Sequence, residues 1–329
     1  MRLERYYISM KILIFDTDAT VREVFERELV GHELVFLEKS VNRDDIAAHP
    51  DAEMVSVFVT SRLRREDMIL MPALRAVVTR SSGLDHVDTE YLKEKGVALF
   101  SVPRYGSHTV AEYTFALLLA LTRRLPEALA QAHADVFEKT PKLEGDDIYG
   151  KTLGVIGTGA IGANVVQRAT AFGMRVLMYD LYPNKALETE SCRYATPDEL
   201  YAHADIISLH APGTPETHHI LNTDSFKKMK DGVVIVNTAR GELIDTPALL
   251  QALRSGKVSR AALDVLEGER ELQKGEPNDT HKALIEEFVH GSRRVICTPH
   301  VAFFTREAYH EILMTSVENV REFMKKNAA

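Results

Sequence analysis

The stretch TLGVIGTGAIG, residues 152–162, decides the fold. It joins an apolar run typical of a buried strand to the pattern Gly157-x-Gly159-x-x-Gly162, and the helix-like segment ANVVQRATAFG follows. Between a strand and a helix, Gly157 permits a tight turn, Gly159 lets backbone amides approach a pyrophosphate, and Gly162 lets the helix pack closely on the strand. The stretch therefore predicts a dinucleotide-binding turn, with the phosphates at the start of the helix.

An acidic residue closes the next strand of this unit. The run RVLMYD, residues 175–180, ends in Asp180, eighteen residues beyond Gly162. A carboxylate at this position accepts hydrogen bonds from the adenosine ribose, and its charge repels a 2'-phosphate. The next three residues, LYP, offer such a phosphate no cation. The sequence therefore predicts NAD, rather than NADP, as the cofactor.

Strand-like and helix-like segments alternate on both sides of this motif. The strand-like segments are KILIFD, ELVFLE, MVSVFV, RAVVTR and VALFSV before it, and RVLMYD, DIISLH, GVVIVNT, RAALDV and VICTPH after it. Such alternation predicts parallel strands joined by helical crossovers. We expect an α/β protein of two doubly wound parallel-sheet domains, of the Rossmann and flavodoxin kind, with a cleft between them. Residues 306–326 form a helix-like segment with an apolar face, which is expected to pack back on the first domain.

A second long helical segment spans residues 109–137. Its first half is apolar around much of its circumference, which is typical of a buried helix or of a subunit contact. The face formed by residues 115–121, together with the family resemblance given below, predicts a homodimer. Arg123 and Arg124 are interpreted as the charged end of a helix.

Composition and charge narrow the class of protein. The 329 residues are enough for two domains. There are 40 Lys and Arg against 48 Asp and Glu, and the net charge of -8 disfavours nucleic acid or a membrane as the main partner. Cys192 and Cys297 lack the spacing of a zinc site or a disulfide framework. The opening MRLERYYISM is too polar for a signal peptide, and residues 115–121 are too few to span a bilayer. We expect a cytoplasmic protein.

Polar residues follow three strand-like segments, at the strand ends where open α/β sheets bind their ligands. Arg240 follows GVVIVNTA and offers a bidentate fork for a substrate carboxylate. His300 follows VICTP and can donate a proton to a ketone oxygen. Glu267 and Glu269 follow RAALDVL, and a carboxylate bonded to the second imidazole nitrogen would fix the tautomer of His300. We assign that role to Glu269, although spacing alone does not bring these side chains together.

Seven stretches, spread over nearly the whole chain, carry a resemblance to a known family. They are TRSSGLDHVD, VPRYGSHTVAEYTFALLLALTRR, LGVIGTGAIG, SLHAPGTPETHHIL, VNTARGELID, ALDVLEGE and TPHVAFFT. Together they resemble the D-2-hydroxyacid dehydrogenases. In that family the catalytic residues are the arginine of N-T-A-R-G, a glutamate five residues after the aspartate of L-D-V, and the histidine of T-P-H. The resemblance places these roles on Arg240, Glu269 and His300.

The resemblance also implies two domains with different functions. Residues 105–299 would be the NAD-binding domain, and residues 1–104 with 300–329 a discontinuous substrate domain that closes over it. Ser82 and Gly83 would offer backbone amides to the substrate carboxylate. The cofactor would be bound by the three glycines of the turn and by Ala160, Ile161, Asp180, Ala211, Pro212, Thr217, Thr238, Ala239, Arg240 and Asp264.

Within the family the chain looks most like the D-lactate dehydrogenases. Tyr105 at the domain junction and Phe303 near the histidine imply a small apolar 2-oxo acid, such as pyruvate, as the substrate. The segment after Glu269 departs from the family pattern: Arg270 stands where a proline is frequent, and the polar insert QKGEPNDTHKALIEEF follows. Glu267 and Glu271 therefore stay open as alternative partners of His300.

Two other functions compete with this interpretation. The same fold could act on a larger or phosphorylated acid, as hydroxyisocaproate and phosphoglycerate dehydrogenases do. It could also serve a non-catalytic sensor of NAD(H), against which the retention of all three catalytic residues argues. His108, His218 and His219 are not expected to bind metal, because adjacent histidines point in different directions and no carboxylate or cysteine completes a ligand set. His210 follows a strand, but no motif gives it a carboxylate partner.

Overall fold

The computed structural model describes residues 9–103, 105–273 and 275–327. Residue contacts divide the chain into two compact units. The first unit holds the described residues of Met1–Tyr105 and Thr305–Ala329, and the second is Gly106–Phe304. The sequence places the boundaries after residues 104 and 299, whereas the contacts place them after 105 and 304. His300 and Phe303 therefore lie in the second unit.

The strands and helices follow the alternation of the sequence. In chain order, the described strands are β1 (Lys11–Ile14), β2 (Glu33–Phe36), β3 (Met54–Val57), β4 (Ala76–Thr79), β5 (Ala98–Phe100), β6 (Thr152–Ile156), β7 (Arg175–Tyr179), β8 (Cys192–Tyr194), β9 (Ile206–Leu209), β10 (Val233–Asn237), β11 (Val258–Leu263) and β12 (Val295–Cys297). The described α-helices are α1 (Ala19–Glu28), α2 (Arg43–Ala47), α3 (Arg65–Met68), α4 (Thr89–Lys95), α5 (Ser107–Thr122), α6 (Leu125–His133), α7 (Ala160–Ala171), α8 (Pro197–His203), α9 (Thr223–Lys228), α10 (Thr246–Ser255), α11 (Glu269–Gln273), α12 (Asp279–Leu284) and α13 (Arg306–Asn327). A π-helix, Ile285–Gly291, continues α12.

The first unit is built on a five-stranded parallel sheet. Its strand order is β2-β1-β3-β4-β5, the order of flavodoxin-like folds. Helices α1 and α13 cover one face, where Phe25, Leu313 and Val317 are fully buried against Ile12 and Ile14. Helix α13 thus packs on the unit that begins the chain, as its apolar face predicts.

The second unit is built on a seven-stranded parallel sheet. Read from one edge, the order is β8-β7-β6-β9-β10-β11-β12, which is the Rossmann order with one further strand. The order reverses between β6 and β9, and in open sheets the crevice at this point, beyond the carboxyl ends of the strands, binds the ligand. The sequence-based expectation of two doubly wound parallel sheets is therefore confirmed.

The predicted long helix over residues 109–137 is wrong in one respect, because it breaks into α5 and α6. Arg124 has a φ of 53°, and Pro126 sits in the first turn of α6. Proline has no N–H to continue the α5 ladder, and the carbonyl of Thr122 accepts a bond from the Asp146 amide at 2.9 Å instead. Phe115 and Leu118 are buried in the core of their own unit, whereas Ala116 between them is exposed, and the predicted subunit contact stays a prediction.

Among the residues that the structure describes, no helix is both long enough and apolar enough to cross a membrane.

Candidate active site

The glycine turn lies between β6 and α7, and its three glycines differ in the space around them. Gly157 has a φ of 91°, and a Cβ there would lie 2.5 Å from the Ala211 amide nitrogen. A Cβ on Gly162 would lie 1.9 Å from the carbonyl oxygen of Gly157. A Cβ on Gly159 would meet no described atom within 4 Å. Two glycines therefore fix the turn, whereas Gly159 keeps open space above it, which suits the approach of a cofactor phosphate.

The start of α7 suits an anion. Gly159 caps the helix without a side chain, and the first turn, which begins with Ala160 and Ile161, carries no acidic residue. The first backbone N–H groups of a helix have no partner within it, and they carry the positive end of the helix dipole. The turn and the helix start together fit the pyrophosphate of NAD.

Asp180 follows β7 directly and faces the same turn. One of its carboxylate oxygens accepts bonds from the Thr158 amide at 2.6 Å and the Thr158 hydroxyl at 3.1 Å. The other oxygen accepts a bond from the Tyr182 amide at 2.8 Å. These bonds hold the carboxylate beside the glycine turn, the place from which it is predicted to contact the ribose.

The other residues predicted to bind the cofactor lie at the ends of neighbouring strands. Ala211 and Pro212 follow β9, and the hydroxyl of Thr217 donates to the Pro212 carbonyl at 2.6 Å. Thr238 and Ala239 follow β10, and the Thr238 hydroxyl lies 2.9 Å from that of Thr114. Their contact with the cofactor stays a prediction.

Arg240 lies on a loop that Asn237 clamps from both sides. The Asn237 side chain accepts a bond from the Ala239 amide at 3.0 Å and donates one to the Arg240 carbonyl at 2.8 Å. Gly241 packs so closely on the turn after β11 that a Cβ would lie 2.1 Å from the Leu266 carbonyl carbon. The arginine loop and the turn that carries the glutamates therefore touch. Asn237 is fully buried at the end of β10, and sequence analysis did not single it out.

The structure pairs His300 with Glu269. His300 Nδ1 lies 2.9 Å from Glu269 Oε1, and both side chains are about a quarter to a third exposed, at 26% and 30%. Of the alternatives, Glu267 is bound elsewhere, because its Oε1 lies 2.7 Å from Nε2 of His219. Glu269 is thus the carboxylate within hydrogen-bonding distance of the predicted acid. The side chain of Arg270, where the sequence departs from the family pattern, lies outside the described residues.

His218 and His219 do not point in different directions, so the expectation on which a metal was rejected there is wrong. His219 has a φ of 52°, and this left-handed backbone brings the two rings together, with centroids 3.8 Å apart. Glu267, far away in the sequence, supplies the carboxylate that the local sequence lacks. His108 is not part of this group.

Asp264 organises the backbone around His300. It is 1% exposed, and its carboxylate accepts bonds from the Thr298 hydroxyl at 2.6 Å and from the Val301 and Ala302 amides at 3.0 and 2.8 Å. Its carbonyl accepts a bond from the His300 amide at 2.8 Å. The resemblance assigns Asp264 to the cofactor. The bonds in the structure show that it also holds the histidine segment against the end of β11.

The polar insert braces the turn that carries the glutamates. His281, in α12, is 1% exposed, and its Nε2 lies 2.6 Å from the carbonyl oxygen of Glu267. Because a carbonyl can only accept, Nε2 carries the proton in this bond. The His281 amide is in turn capped by Asn278 at 2.8 Å. Sequence analysis did not identify His281. Its only signal was its position in NDTH, residues 278–281, a pattern typical of the start of a helix.

His210 is unsuited to acid–base chemistry. Its Nε2 lies 2.8 Å from the Ser208 hydroxyl, and desolvation lowers the pKa of His210 to about 3. Its Nδ1 is buried without a hydrogen-bond partner among the described residues. The ring is therefore neutral near neutral pH, in line with the lower rank that the sequence gives it.

The predicted substrate residues fall in different units. Phe303 stands edge-on to His300, with ring centroids 6.5 Å apart and an interplanar angle of 81°. Ser82, Gly83 and Tyr105 belong to the first unit, where the Ser81 hydroxyl donates to the Gly83 carbonyl at 2.8 Å. Their contact with substrate stays a prediction.

Comparisons with known proteins cover the whole chain. Residues 115–302 match the model of the NAD binding domain of D-isomer specific 2-hydroxyacid dehydrogenases. The chain is 37% identical over 320 residues to 2-hydroxyacid dehydrogenase homolog 2 of Schizosaccharomyces pombe, covering 95% of this chain and 96% of that protein. It is 34% identical over 323 residues to an aromatic 2-oxoacid reductase of Clostridium sporogenes, covering 96% and 97%.

A solved structure gives the same result. The crystal structure of D-lactate dehydrogenase from Aquifex aeolicus, complexed with NAD and lactic acid, superposes with a TM-score of 0.88 at 35% identity and covers 96% of both chains. With its two parallel sheets, its glycine turn and this match over 96% of its length, the chain belongs to the family of NAD-dependent D-2-hydroxyacid dehydrogenases.

Proposed function

We propose that the chain reduces pyruvate to D-lactate with NADH and runs the reverse reaction with NAD, using His300, Glu269 and Arg240. The observation that carries the proposal is the bond of 2.9 Å between His300 Nδ1 and Glu269. It engages one imidazole nitrogen and leaves Nε2 as the atom that exchanges a proton with the substrate oxygen.

His300 is the proposed acid and base. In the reductive direction its Nε2 donates a proton to the carbonyl oxygen of the 2-oxo acid, and in the oxidative direction it accepts the proton of the hydroxyl group. Glu269 keeps the proton on Nδ1, orients the ring, and stabilises the charged imidazolium. When bound, NAD supplies the hydride-transfer chemistry of the reaction.

Arg240 is proposed to bind the substrate. Its guanidinium donates to the carbonyl of Ala239 at 2.7 Å, and its planar fork of N–H groups matches the geometry of a carboxylate. The Asn237 clamp and the close packing of Gly241 hold the arginine loop in place. A positive group next to the reacting carbonyl also stabilises the negative charge that develops on its oxygen.

The choice of pyruvate rests on Phe303 and on the D-lactate dehydrogenase from Aquifex aeolicus. The phenyl ring beside His300 is half-buried and limits the space for the substrate's side chain. The relative from Clostridium sporogenes, named for aromatic 2-oxo acids, is about as similar to the chain, so overall identity does not select the substrate. The proposed preference for pyruvate therefore rests on the apolar wall that the Phe303 ring forms beside His300.

The test is a panel of 2-oxo acids: pyruvate, 2-oxoisocaproate, phenylpyruvate, hydroxypyruvate and phosphohydroxypyruvate, with NADH oxidation followed optically. We expect pyruvate to have the highest kcat/KM, a D-configured product, and much slower turnover with NADPH. A higher kcat/KM for phenylpyruvate or 2-oxoisocaproate would overturn the substrate, but not the reaction. NADH binding without turnover of any acid would favour the sensor.

We propose a homodimer, and a second apolar surface joins the face that the sequence suggested as a candidate contact. Helix α6 has no buried residue, and Leu125 and Leu129 on it are 48% and 50% exposed. Phe137, just beyond the helix, is 82% exposed. Such an apolar patch is typical of an interaction surface. Light scattering of the purified protein should give twice the chain mass, and Leu129→Glu should lower it.

The cytoplasm is the proposed location. Both cysteines are free: Cys192 is buried, and burial raises the pKa of the Cys297 thiol to about 12. Neither supplies the disulfide that is common in exported proteins. Fractionation of cells that produce the protein would test the location.

A further inference from the structure

Three metal-ligating side chains meet on the second unit, apart from His300. His218 and His219 come from the loop after β9, and Glu267 comes from the turn after β11. One ligand atom from each lies within 4.8 Å of the other two. His219 Nε2 is 2.7 Å from Glu267 Oε1, and the two imidazole rings are tilted by 32°. The chain thus gathers two imidazoles and a carboxylate from segments almost fifty residues apart.

The backbone holds the histidines in an arrangement that adjacent residues rarely adopt. The φ of 52° at His219 turns both rings to the same side. This conformation is fixed from both directions, because the His219 amide donates to the Glu242 carbonyl at 2.8 Å and its carbonyl accepts a bond from the Asn222 side chain at 2.9 Å. The rings therefore face Glu267 because of the fold of the loop.

We propose that His218, His219 and Glu267 form a binding site for a divalent transition-metal ion such as Zn²⁺. Two imidazoles and one carboxylate suit Zn²⁺, Ni²⁺ or Cu²⁺, whereas Ca²⁺ and Mg²⁺ prefer oxygen ligands alone. The three ligand atoms lie within 4.8 Å of one another, and ligands about 2.0–2.2 Å from a zinc ion lie about 3.3–3.6 Å apart in a tetrahedral site. His218 is exposed, so its side chain can rotate to meet the ion, and the hydrogen bond between His219 and Glu267 is replaced by their bonds to the ion. Three protein ligands leave one tetrahedral position for water.

The surroundings support such a site. The second carboxylate oxygen of Glu267 lies 3.3 Å from the Thr246 hydroxyl and 3.4 Å from the Thr246 amide. The Glu267 backbone is held by His281. Partners of this kind orient a ligand before the ion arrives. His218 also lines an open groove of about 550 Å³, together with Gly213, Thr214, Pro215 and Glu242. The groove gives an ion access, and Glu242 adds negative charge to its wall.

Bound at this place, the ion joins the loop after β9 to the turn after β11. Because it binds the folded arrangement and not the unfolded chain, it stabilises the protein. Glu269, the partner of His300, is not among the ligands. The site is therefore proposed independently of the reaction, and its test needs no substrate.

The test uses the full chain after treatment with a chelator. Titration calorimetry with Zn²⁺ should give one site per chain, and Co²⁺ should give the d–d absorption bands of an ion bound by nitrogen ligands. His218→Ala removes one ligand but leaves the bond between His219 and Glu267, so the fold should survive. We expect this variant to bind Zn²⁺ at least about tenfold more weakly.

The matched control is His203→Ala, because His203 is an exposed histidine of the same unit outside the cluster. This variant should bind Zn²⁺ like the wild type. Zn²⁺ should raise the melting temperature of the wild type and of the control, but much less that of His218→Ala. Equal Zn²⁺ affinity in all three proteins, or no Co²⁺ absorption in the wild type, would overturn the proposal. NADH binding by each variant reports whether it folds. A protein that binds Zn²⁺ normally but does not turn over 2-oxo acids would contradict only the proposed reaction, not the metal site.

Discussion

Two imidazole–carboxylate pairs arise from the same short turn, and they differ in the nitrogen that each imidazole uses. His300 contacts Glu269 through Nδ1 at 2.9 Å, and His219 contacts Glu267 through Nε2 at 2.7 Å. The side chains are similarly exposed, and both histidines have a positive φ, 55° and 52°. A bond through Nδ1 leaves the outer nitrogen for substrate, whereas a bond through Nε2 occupies it. Proximity of a histidine and a carboxylate therefore does not define a catalytic acid.

The neighbours of the two pairs differ as well. His300 has the ring of Phe303 at its side and a backbone held by Asp264. His219 has a second imidazole against its face. The first environment suits an apolar substrate, and the second suits an ion. Substitutions in the two pairs should therefore have very different effects on turnover.

The largest contrast is expected between His300→Gln and His219→Gln. Loss of the proposed general acid should lower kcat for pyruvate, the proposed substrate, about 10³-fold. Loss of a partly exposed pair should lower kcat less than about tenfold, because such pairs contribute about 1 kcal/mol or less. Steady-state kinetics with saturating NADH measures both, and NADH binding serves as the control for folding. Comparable losses in the two variants would contradict the assignment of the acid.

The carboxylates should show the same contrast at a smaller scale. Glu269→Gln keeps the size of the side chain but removes the charge that stabilises the imidazolium, so kcat should fall about 10²-fold. Glu267→Gln should keep most of the activity, since its partner is not the acid. If Glu267→Gln were the more damaging change, the pairing in the structure would not be the one used in catalysis.

Local patterns were enough to predict the sheets and the cofactor turn. The strand, the three glycines and Asp180 are close in sequence, and each is needed because of its immediate neighbours. Gly162, for example, is required by a contact with Gly157, only five residues away. The break at Arg124 was missed because the apolar periodicity continues across it, whereas Pro126 ends the hydrogen-bond ladder.

The two pairs could not be derived from local patterns. His300 and Glu269 are 31 residues apart in the chain, and they came from family resemblance rather than spacing. The resemblance selected Glu269 but left Glu267 open, and the structure separates the two side chains at Gly268, which has a φ of 70°. Asn237 and His281 were missed because their roles are hydrogen bonds to backbone groups, which leave no sequence pattern.

His281 tests whether the insert positions the turn that both pairs share. His281→Leu removes the donor to the Glu267 carbonyl and leaves that buried acceptor without its partner, so kcat should fall about tenfold. His281→Gln restores a donor and should recover most of the loss, while KM for NADH stays unchanged in both variants. Steady-state kinetics with urea unfolding separates positioning from stability. Equal kcat values for the Leu and Gln variants would mean that the hydrogen bond does not position Glu269.

The smallest effect at neutral pH is expected for His210, an imidazole that has no carboxylate partner among the residues that the structure describes. Desolvation lowers its pKa from 6.5 to about 3 in the folded protein, whereas the unfolded chain binds the proton near the ordinary value. As the pH falls below about 6.5, the unfolded state therefore binds more protons than the native state, and the free energy of unfolding decreases. His210→Gln can still bond to Ser208 but cannot titrate, so its stability should fall less steeply between about pH 7 and pH 5. Urea midpoints across this range measure the difference in slope. Parallel curves for the two proteins would contradict the lowered pKa, because they would mean that His210 binds its proton equally well in the folded and unfolded states. His210 would then titrate without a carboxylate partner, and such a partner would no longer distinguish His300 and His219 from it.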